Sequence, residues 1–402
     1  MSVHLNTIVD KNYNHLIENL HTALDSWKKR HLTPYGKITV IKTFIISKFI
    51  HLFTTLPDPN PIVLNKMNSS LYKFIWDGKP DKIKRTTLTS KPSKGGLKMI
   101  DLPSFVNALK LSWVKRFLEH ENSQWKHLVN NCVINIKKFI EMGPLWHTKI
   151  RSKVKNPFWR DVLSGWVSFH RNFRATSKEE ALCTGLWNNP NVVTNGMINE
   201  NLYRNGCVYI ADLCDCSYKV YDVPTIKQLY QTSLNFLEYY RLSRGINNYL
   251  KKPKASNTFA RPFQPLLVNL LSNNKKGSRV FYDILSEKND RVPPNFIAKW
   301  SRLLGTTFSD LEWKRIFNIC NRTIIDNEIK WFQYKIIHKI LGTNSLLFKI
   351  AISDSNLCRF CKETEETDYQ LFYNCQIIKN LREELCLWTK NLSGNNFGPT
   401  DS

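Results

Sequence analysis

The chain of 402 residues lacks the motifs that most enzyme classes require. It contains no adjacent pair of aspartates, and the patterns GxxxxGK[ST], HExxH, GxSxG and GxGxxG are also missing. Polymerase metal sites, phosphate-binding loops, zinc proteases, serine hydrolases and dinucleotide-binding folds each depend on one of these arrangements. Acidic residues number 33 against 58 Lys and Arg, and they are scattered. We therefore expect no catalytic residues here and no small-molecule substrate.

A secretory leader is also missing from the sequence. The opening run MSVHLNTIVDKNYNHL has no apolar core. The longest apolar stretch, ITVIKTFIISKFIHLF, is interrupted by Lys42 and Lys48 and is shorter than the ~20 residues of a membrane span. We expect an intracellular protein, nuclear or cytoplasmic or both, that is not secreted and has no membrane partner. Its ten cysteines should then be reduced.

Positive charge dominates what is present. The formal net charge is +25, while 42% hydrophobic and 12% aromatic residues are enough for packed cores. Residues 353–402 hold five basic and eight acidic residues, a net of −3, so residues 1–352 carry 53 against 25, a net of +28. A charge of this size predicts a polyanionic partner, either nucleic acid or an anionic surface. The attraction should come from the part of the chain before residue 353.

Apolar periodicity predicts a mainly α fold: helical bundle domains with a few short strands and a small C-terminal zinc-knuckle-like module. Leucines at helical spacing predict a helix over residues 12–31. Thr33 and Pro34 are typical of an N-cap and first turn, so a second helix should start there. A third is expected over 62–76, after a proline-rich break. We divide the chain into domains at 1–102, 103–300 and 301–402.

A lysine-rich segment follows the third predicted helix. Residues 79–98 contain seven Lys or Arg and one acidic residue, and TTLTS and LKMID are candidate short strands of a hairpin. A loop of this kind can follow a phosphate backbone, although a solvated surface loop has the same composition. A predicted helix over 326–341 adds a second basic face, for which a solvated face is again the alternative. The candidate nucleic-acid contacts are Lys37, Lys42, Lys79, Lys82, Lys84, Arg85, Lys91, Lys94, Lys335 and Lys339.

The C-terminal cysteines have the spacing of metal ligands. Cys358 and Cys361 flank two residues, and Cys375 follows 14 positions later. Structural zinc sites need four ligands, and no His lies between Cys361 and Cys375. The set indicates a zinc knuckle that lacks one ligand, and four residues separate Gln370 from Cys375. Buried thiols on a helical hairpin are an equally good interpretation, and His338 could serve as the fourth ligand only if tertiary folding brought it close.

Four segments carry a family resemblance. They are WKKRHLTPYGKITVIKTFIISKFIHLFTTLPDPNP, FIWDGKPDKIKR, KGGLKMIDL and WFQYKIIHKILGTNSLLFKIAISDSNLCRFC. In this order they resemble the C-terminal part of LINE-type non-LTR retrotransposon reverse transcriptases. The resemblance implies that residues 1–102 correspond to the thumb and that the cysteines correspond to a CCHC motif, with Gln370 where the family has His. Zinc is then the implied cofactor, at an incomplete site.

The resemblance does not extend to the catalytic palm, whose Asp-Asp motif is missing. It implies a non-catalytic fragment that binds RNA and duplex nucleic acid, such as a primer–template. Two alternatives remain open. The chain could be part of an intact RNA-directed DNA polymerase whose palm lies outside this sequence, or a basic membrane-surface or scaffold protein.

Overall fold

A computed structural model describes residues 8–118, 124–127, 138, 141–173, 175, 177–232, 234–253, 277–286, 295–322 and 325–393. These residues are mainly helical, which confirms the predicted fold class. In the part described, β pairing is limited to isolated bridges, which are Gly185 with Tyr209, Cys214 with Val220, and Leu357 with Glu365.

The helices before residue 119 are α1 (Ile8–Lys28), α2 (Pro34–Val40), α3 (Ile50–Thr55), α4 (Pro61–Ile75), α5 (Arg85–Thr89) and α6 (Leu102–Leu118). Those between 144 and 286 are α7 (Pro144–Arg151), α8 (Pro157–Asn172), α9 (Lys178–Leu182), α10 (Glu200–Arg204), α11 (Val223–Tyr230), α12 (Phe236–Leu250) and α13 (Gly277–Ser286). The last are α14 (Asn295–Leu304), α15 (Asp310–Arg322), α16 (Asn327–Ile337), α17 (Asn344–Lys349) and α18 (Gln376–Ser393).

The first core is built by α1 to α4 together with α6. Between α2 and α3 the chain stays helical through a π turn at Ile41–Ile45 and a 3-10 turn at Ile46–Phe49. The side chains of Ile41, Ile45, Ile46 and Phe49, with Phe53 on α3, are buried in this core. By length and composition the run Pro34–Thr55 could cross a membrane. Its buried apolar residues lie in the first core.

Helix boundaries follow the local capping residues. Pro34 begins α2 directly after Thr33, as predicted, and α4 begins at Pro61 after Asn60, whose side chain accepts a hydrogen bond from the Ile62 N–H at 2.9 Å. An N-cap oxygen satisfies a backbone donor that the first turn leaves free. The predicted helices over 12–31, 62–76 and 326–341 are found as α1, α4 and α16, with ends shifted by a few residues.

Two further cores lie between residues 108 and 285. One joins α6, α8 and α13 around Trp166 and Phe281, both almost fully buried. The other surrounds the buried Trp187, and its remaining members come from residues 142–250. The described helix α13 therefore packs against α6, which also belongs to the first core, and this arrangement places α13 beside the lysine-rich segment.

The two candidate strands in and beside the lysine-rich residues 79–98, which we call the basic segment, are not strands. Residues of TTLTS form the short helix α5, and LKMI runs beside it. The reason is that one carbonyl, that of Leu88, accepts hydrogen bonds from both Leu97 N–H at 3.1 Å and Met99 N–H at 2.9 Å. A two-stranded ladder needs alternating pairs of donors and acceptors, so a single shared acceptor cannot extend into one.

Candidate nucleic-acid interface and metal centre

The basic segment is held in place by the C-terminal helices. Tyr334 on α16 donates a hydrogen bond from its hydroxyl to the Gly95 carbonyl at 3.0 Å. Gly95 has φ +79°, a conformation that favours glycine. A Cβ on Gly96 would lie 2.0 Å from the Ser90 carbonyl oxygen. The segment thus has a fixed path, which only a residue without a side chain allows at position 96.

Three of the predicted contacts converge on one surface. Lys79 and Lys82 are exposed, and Lys335 lies near them on α16, since the Trp331 ring of this helix packs at 6.1 Å from the Trp76 ring just before the segment. Burial, together with repulsion from Lys79 and Lys335, lowers the pKa of Lys82. Like charges that repel one another in this way gain from an anion placed between them. Within the described residues, none of the three forms an ion pair within 4.0 Å.

The other candidates in the segment are exposed but partly engaged. The Arg85 guanidinium pairs with Asp81 at 2.7 Å and covers the Tyr72 ring at 4.4 Å. Lys84 donates to the Asn295 side-chain oxygen at 3.4 Å. Lys94 is also exposed. A surface ion pair is worth little, so Arg85 can exchange its partner for a phosphate at small cost.

Two candidates do not lie on an open surface. Lys37 is 2% exposed, and its ammonium contacts Asp77 at 2.6 Å. Lys339 covers the Trp300 ring at 3.8 Å and pairs with Asp368 at 3.6 Å. Both side chains form contacts within the protein. Residue type and helical position alone could not predict these contacts.

The last two candidates, Lys42 and Lys91, line a cleft of about 470 Å³ between the helices of the first core and α13. Lys98 and Arg279 line the same cleft and were not among the predicted contacts. Lys98 is one of the seven cations counted over residues 79–98, so the sequence did contain a sign that it could contact nucleic acid. Arg279 comes from a distant helix, and its neighbours Lys275 and Lys276 lie outside the described residues.

The cysteines form a compact sulfur cluster. Their three Sγ atoms lie within 4.8 Å of one another, and the Sγ atoms of Cys358 and Cys375 are 4.0 Å apart. Zn–S bonds of about 2.3 Å in a tetrahedron require sulfur separations of about 3.8 Å. Cys358 and Cys375 are buried and Cys361 is half-buried. The group could therefore hold a metal ion, and the spacing of these residues predicted it.

Gln370 lies beside the three sulfurs, where a fourth ligand would be needed. Its amide nitrogen lies 3.5 Å from Cys361 Sγ and donates to the Thr364 hydroxyl at 2.7 Å. Its carbonyl oxygen is buried and has no hydrogen-bond partner among the described residues. An orphaned buried acceptor is rare and is a possible ligand atom, although a neutral amide is weak beside three thiolates. The residues present thus fit a metal ion with an incomplete strong-ligand set.

The local backbone favours thiolate at the exposed end of the cluster. Hydrogen bonds from the backbone N–H groups of Glu363 and Thr364 lower the pKa of the Cys361 thiol to about 6. A thiolate is the form that binds metals. His338, the distant alternative ligand, instead stacks on the Tyr334 ring at 4.0 Å and contacts Phe296.

A buried carboxylate fixes the loop that carries Cys358 and Cys361. Glu366 is fully buried and binds the Arg359 guanidinium at 2.8 Å. Its oxygens also accept hydrogen bonds from the backbone N–H groups of Arg359 and Asn344, each at 2.8 Å. Buried charges are tolerated when they are paired and hydrogen-bonded in this way. The loop is therefore tied to the start of α17 without any metal.

Comparison with known proteins gives a partial similarity. No protein-family model matches the chain. A protein of Arabidopsis thaliana described as a "Putative ribonuclease H protein" is 26% identical over 120 residues, which cover 28% of this chain and 19% of that protein. The chain thus spans a small part of the length of this relative.

Proposed function

We propose that this chain is a non-catalytic, nucleic-acid-binding part of a LINE-type non-LTR retrotransposon reverse transcriptase. It binds RNA and primer–template duplex through the surface formed by the basic segment and α16. The observation that carries this proposal is the convergence of Lys79, Lys82 and Lys335 on one side of the protein. The order of the four resembling sequence segments and the similarity to a ribonuclease H protein support the family.

Binding of this type should depend little on base sequence. Lysine ammonium groups contact phosphates as point charges and release condensed counterions, which makes affinity fall steeply with salt. The net charge of +25 adds long-range attraction for any polyanion. The zinc-knuckle-like module has an incomplete set of strong ligands, so it would hold zinc weakly at most, and it would support the interface through α16. The protein would act inside the cell, in the nucleus or the cytoplasm.

Binding to RNA stem-loops and DNA duplexes tests this proposal. We expect Lys79→Gln, Lys82→Gln and Lys335→Gln together to weaken both complexes by about tenfold or more and to flatten their salt dependence. Lys48→Gln, Lys66→Gln and Lys149→Gln remove the same charge from exposed positions elsewhere. Equal losses in the two triple variants would mean that only net charge matters and that this surface is not the interface.

The alternatives give different results. A basic membrane-surface protein would bind anionic vesicles at least as tightly as RNA, which we do not expect because the apolar side of Pro34–Thr55 is buried in the first core. A complete polymerase would extend a primer, and we expect no incorporation above a tag-only control because no Asp-Asp metal site is present. Incorporation by the purified chain would overturn the non-catalytic assignment.

A further inference from the structure

The cleft beside α13 combines a cationic rim with an apolar wall. Cationic side chains reach it from three places: Lys42 from the π turn after α2, Lys91 and Lys98 from the basic segment, and Arg279 from α13. Ile100 and Phe105 also line the cleft and are half-buried. A volume of about 470 Å³ lies within the range of small-ligand pockets, about 300–1,000 Å³.

The cations of this cleft lack acidic partners in the described part of the chain. Lys42, Lys98 and Arg279 form no ion pair within 4.0 Å there, and Asp283 is the one acidic residue among those lining the cleft. Burial, followed by repulsion from Lys98, lowers the pKa of Lys42. A half-buried ammonium beside another cation is unfavourable, and an anion between them removes that cost.

We propose that this cleft seats one unpaired nucleotide of a single-stranded RNA or DNA. The phosphate lies on Lys42, Lys98 and Arg279. The base lies against Ile100 and Phe105. This inference rests on the proposed nucleic-acid binding and adds a strand-selective subsite to it, separate from the surface of Lys79, Lys82 and Lys335.

Strand selectivity follows from the shape of the site. The bases of a duplex are stacked and paired inside the helix, so a duplex can offer the cleft only its phosphates. An unpaired base turns outward at no pairing cost and can cover apolar side chains, as in other single-strand sites. An apolar wall beside a phosphate site is useful only to a ligand that has both parts.

The test uses the whole chain with U₁₅, dT₁₅, an abasic strand of the same length and a DNA duplex. Lys42→Gln, Lys98→Gln and Arg279→Gln together should weaken binding of U₁₅ and dT₁₅ by about tenfold or more, and duplex binding by less than about threefold. The slope of log affinity against log salt should become shallower by about 0.7 for each phosphate that the variant no longer neutralises. The matched control is Lys48→Gln, Lys66→Gln and Arg151→Gln, all exposed and outside the cleft.

A second variant leaves the charge unchanged. Ser278 lines the cleft, and Ser278→Trp should fill it and reduce binding of U₁₅ and dT₁₅ while duplex binding stays the same. Ser152→Trp, at an exposed position outside the cleft, controls for the added indole. The wild-type protein should also prefer dT₁₅ to the abasic strand, and Ser278→Trp should remove that preference.

The outcomes separate the two proposals. If the wild type binds neither single strands nor duplex, the proposed function and the subsite both fail. If it binds both, but neither cleft variant changes the ratio of single-strand to duplex affinity, the subsite alone is wrong. Saturation by free AMP with the affinity of U₁₅ would show a site for free nucleotides and would overturn the strand assignment.

Discussion

Replacing Gln370 by His should complete the metal centre. The side chain at this position is buried, its amide nitrogen lies 3.5 Å from Cys361 Sγ, and its carbonyl oxygen has no partner in the described structure. An imidazole Nε2 reaches about as far from the backbone as the glutamine amide does. Gln370→His therefore places a strong zinc ligand beside three sulfurs without moving the main chain.

The size of the effect can be bounded from the role of the residue. Losing a group that only orients a ligand costs roughly 10–100-fold in metal affinity. A direct ligand should be worth at least the upper end, so we expect zinc affinity to rise by about 100-fold or more, equivalent to about 2.7 kcal/mol. Because metal binding and folding of a small module are linked, the same free energy should stabilise residues 344–375 when zinc is saturating.

Zinc titration against a competing chelator, with metal content per chain, measures the affinity directly. Limited proteolysis with and without zinc measures the stability of the module. Gln376→His is the matched control, because Gln376 begins α18, is exposed and bonds Asn380 at 2.9 Å. Cys361→Ser removes a thiolate from the cluster and should abolish the gain from Gln370→His.

Two results would refute this reasoning. If the unaltered protein binds one zinc ion tightly, a fourth ligand already completes the site, and Gln370 is not its missing member. If Gln370→His brings no more affinity than Gln376→His does, the three cysteines are packing residues of a helical hairpin.

Three further predictions concern stability and the basic segment. Lys110→Met removes a fully buried ammonium that pairs with Asp58 at 2.9 Å. It should lower the free energy of unfolding, measured by urea denaturation, by about 3 kcal/mol, because it leaves the Asp58 carboxylate without its partner. Adding Asp58→Asn should restore part of the lost stability. Burial, with repulsion from Asp58, raises the pKa of Asp161 to about 6. The folded state thus binds an extra proton between about pH 4 and 6, and stability should fall as pH rises through that window. Asp161→Asn should remove this fall and raise stability near pH 7 by at most about 2 kcal/mol after solvent screening, which thermal melts across pH would detect. Gly96→Ala places a Cβ against the Ser90 carbonyl and should cost more than about 1 kcal/mol while reducing RNA binding; an unchanged melt and affinity would show that the segment adapts.

Local signals in the sequence predicted much of the helical scaffold. Thr33 with Pro34, and the prolines up to Pro61, mark the starts of α2 and α4 because a proline fits the first helical turn and breaks any later one. The sulfur cluster was also predictable, since two residues between cysteines allow both side chains to face one centre. Each of these features depends on neighbours within a few positions or on a short loop.

The rest depends on tertiary contacts that spacing does not encode. Lys37 is a lysine on a short helix, which is usually an exposed position. Its side chain is nevertheless buried and pairs with Asp77, 40 positions later. The Leu88 carbonyl, which accepts from Leu97 and Met99, replaces the expected hairpin. Tyr334 on α16, 239 positions after Gly95, holds the same segment through the Gly95 carbonyl. Arg279 reaches the cleft only because α13 packs on α6. No periodicity in the sequence connects these partners.

The cysteine module and the basic surface are joined through α16. On one side of this helix Phe332 meets Phe372, a residue of the turn between Gln370 and Cys375. On the other side Tyr334 holds the carbonyl of Gly95 in the basic segment. The C-terminal region from residue 353 has a net charge of −3, so attraction for phosphate should come from the rest of the chain. If the proposed function holds, the contribution of the cysteine module to binding would be mechanical, because it supports the helix that carries Lys335 and holds the basic segment. A change that loosens the sulfur cluster should reach the proposed nucleic-acid surface through α16, with the charges of that surface unaltered.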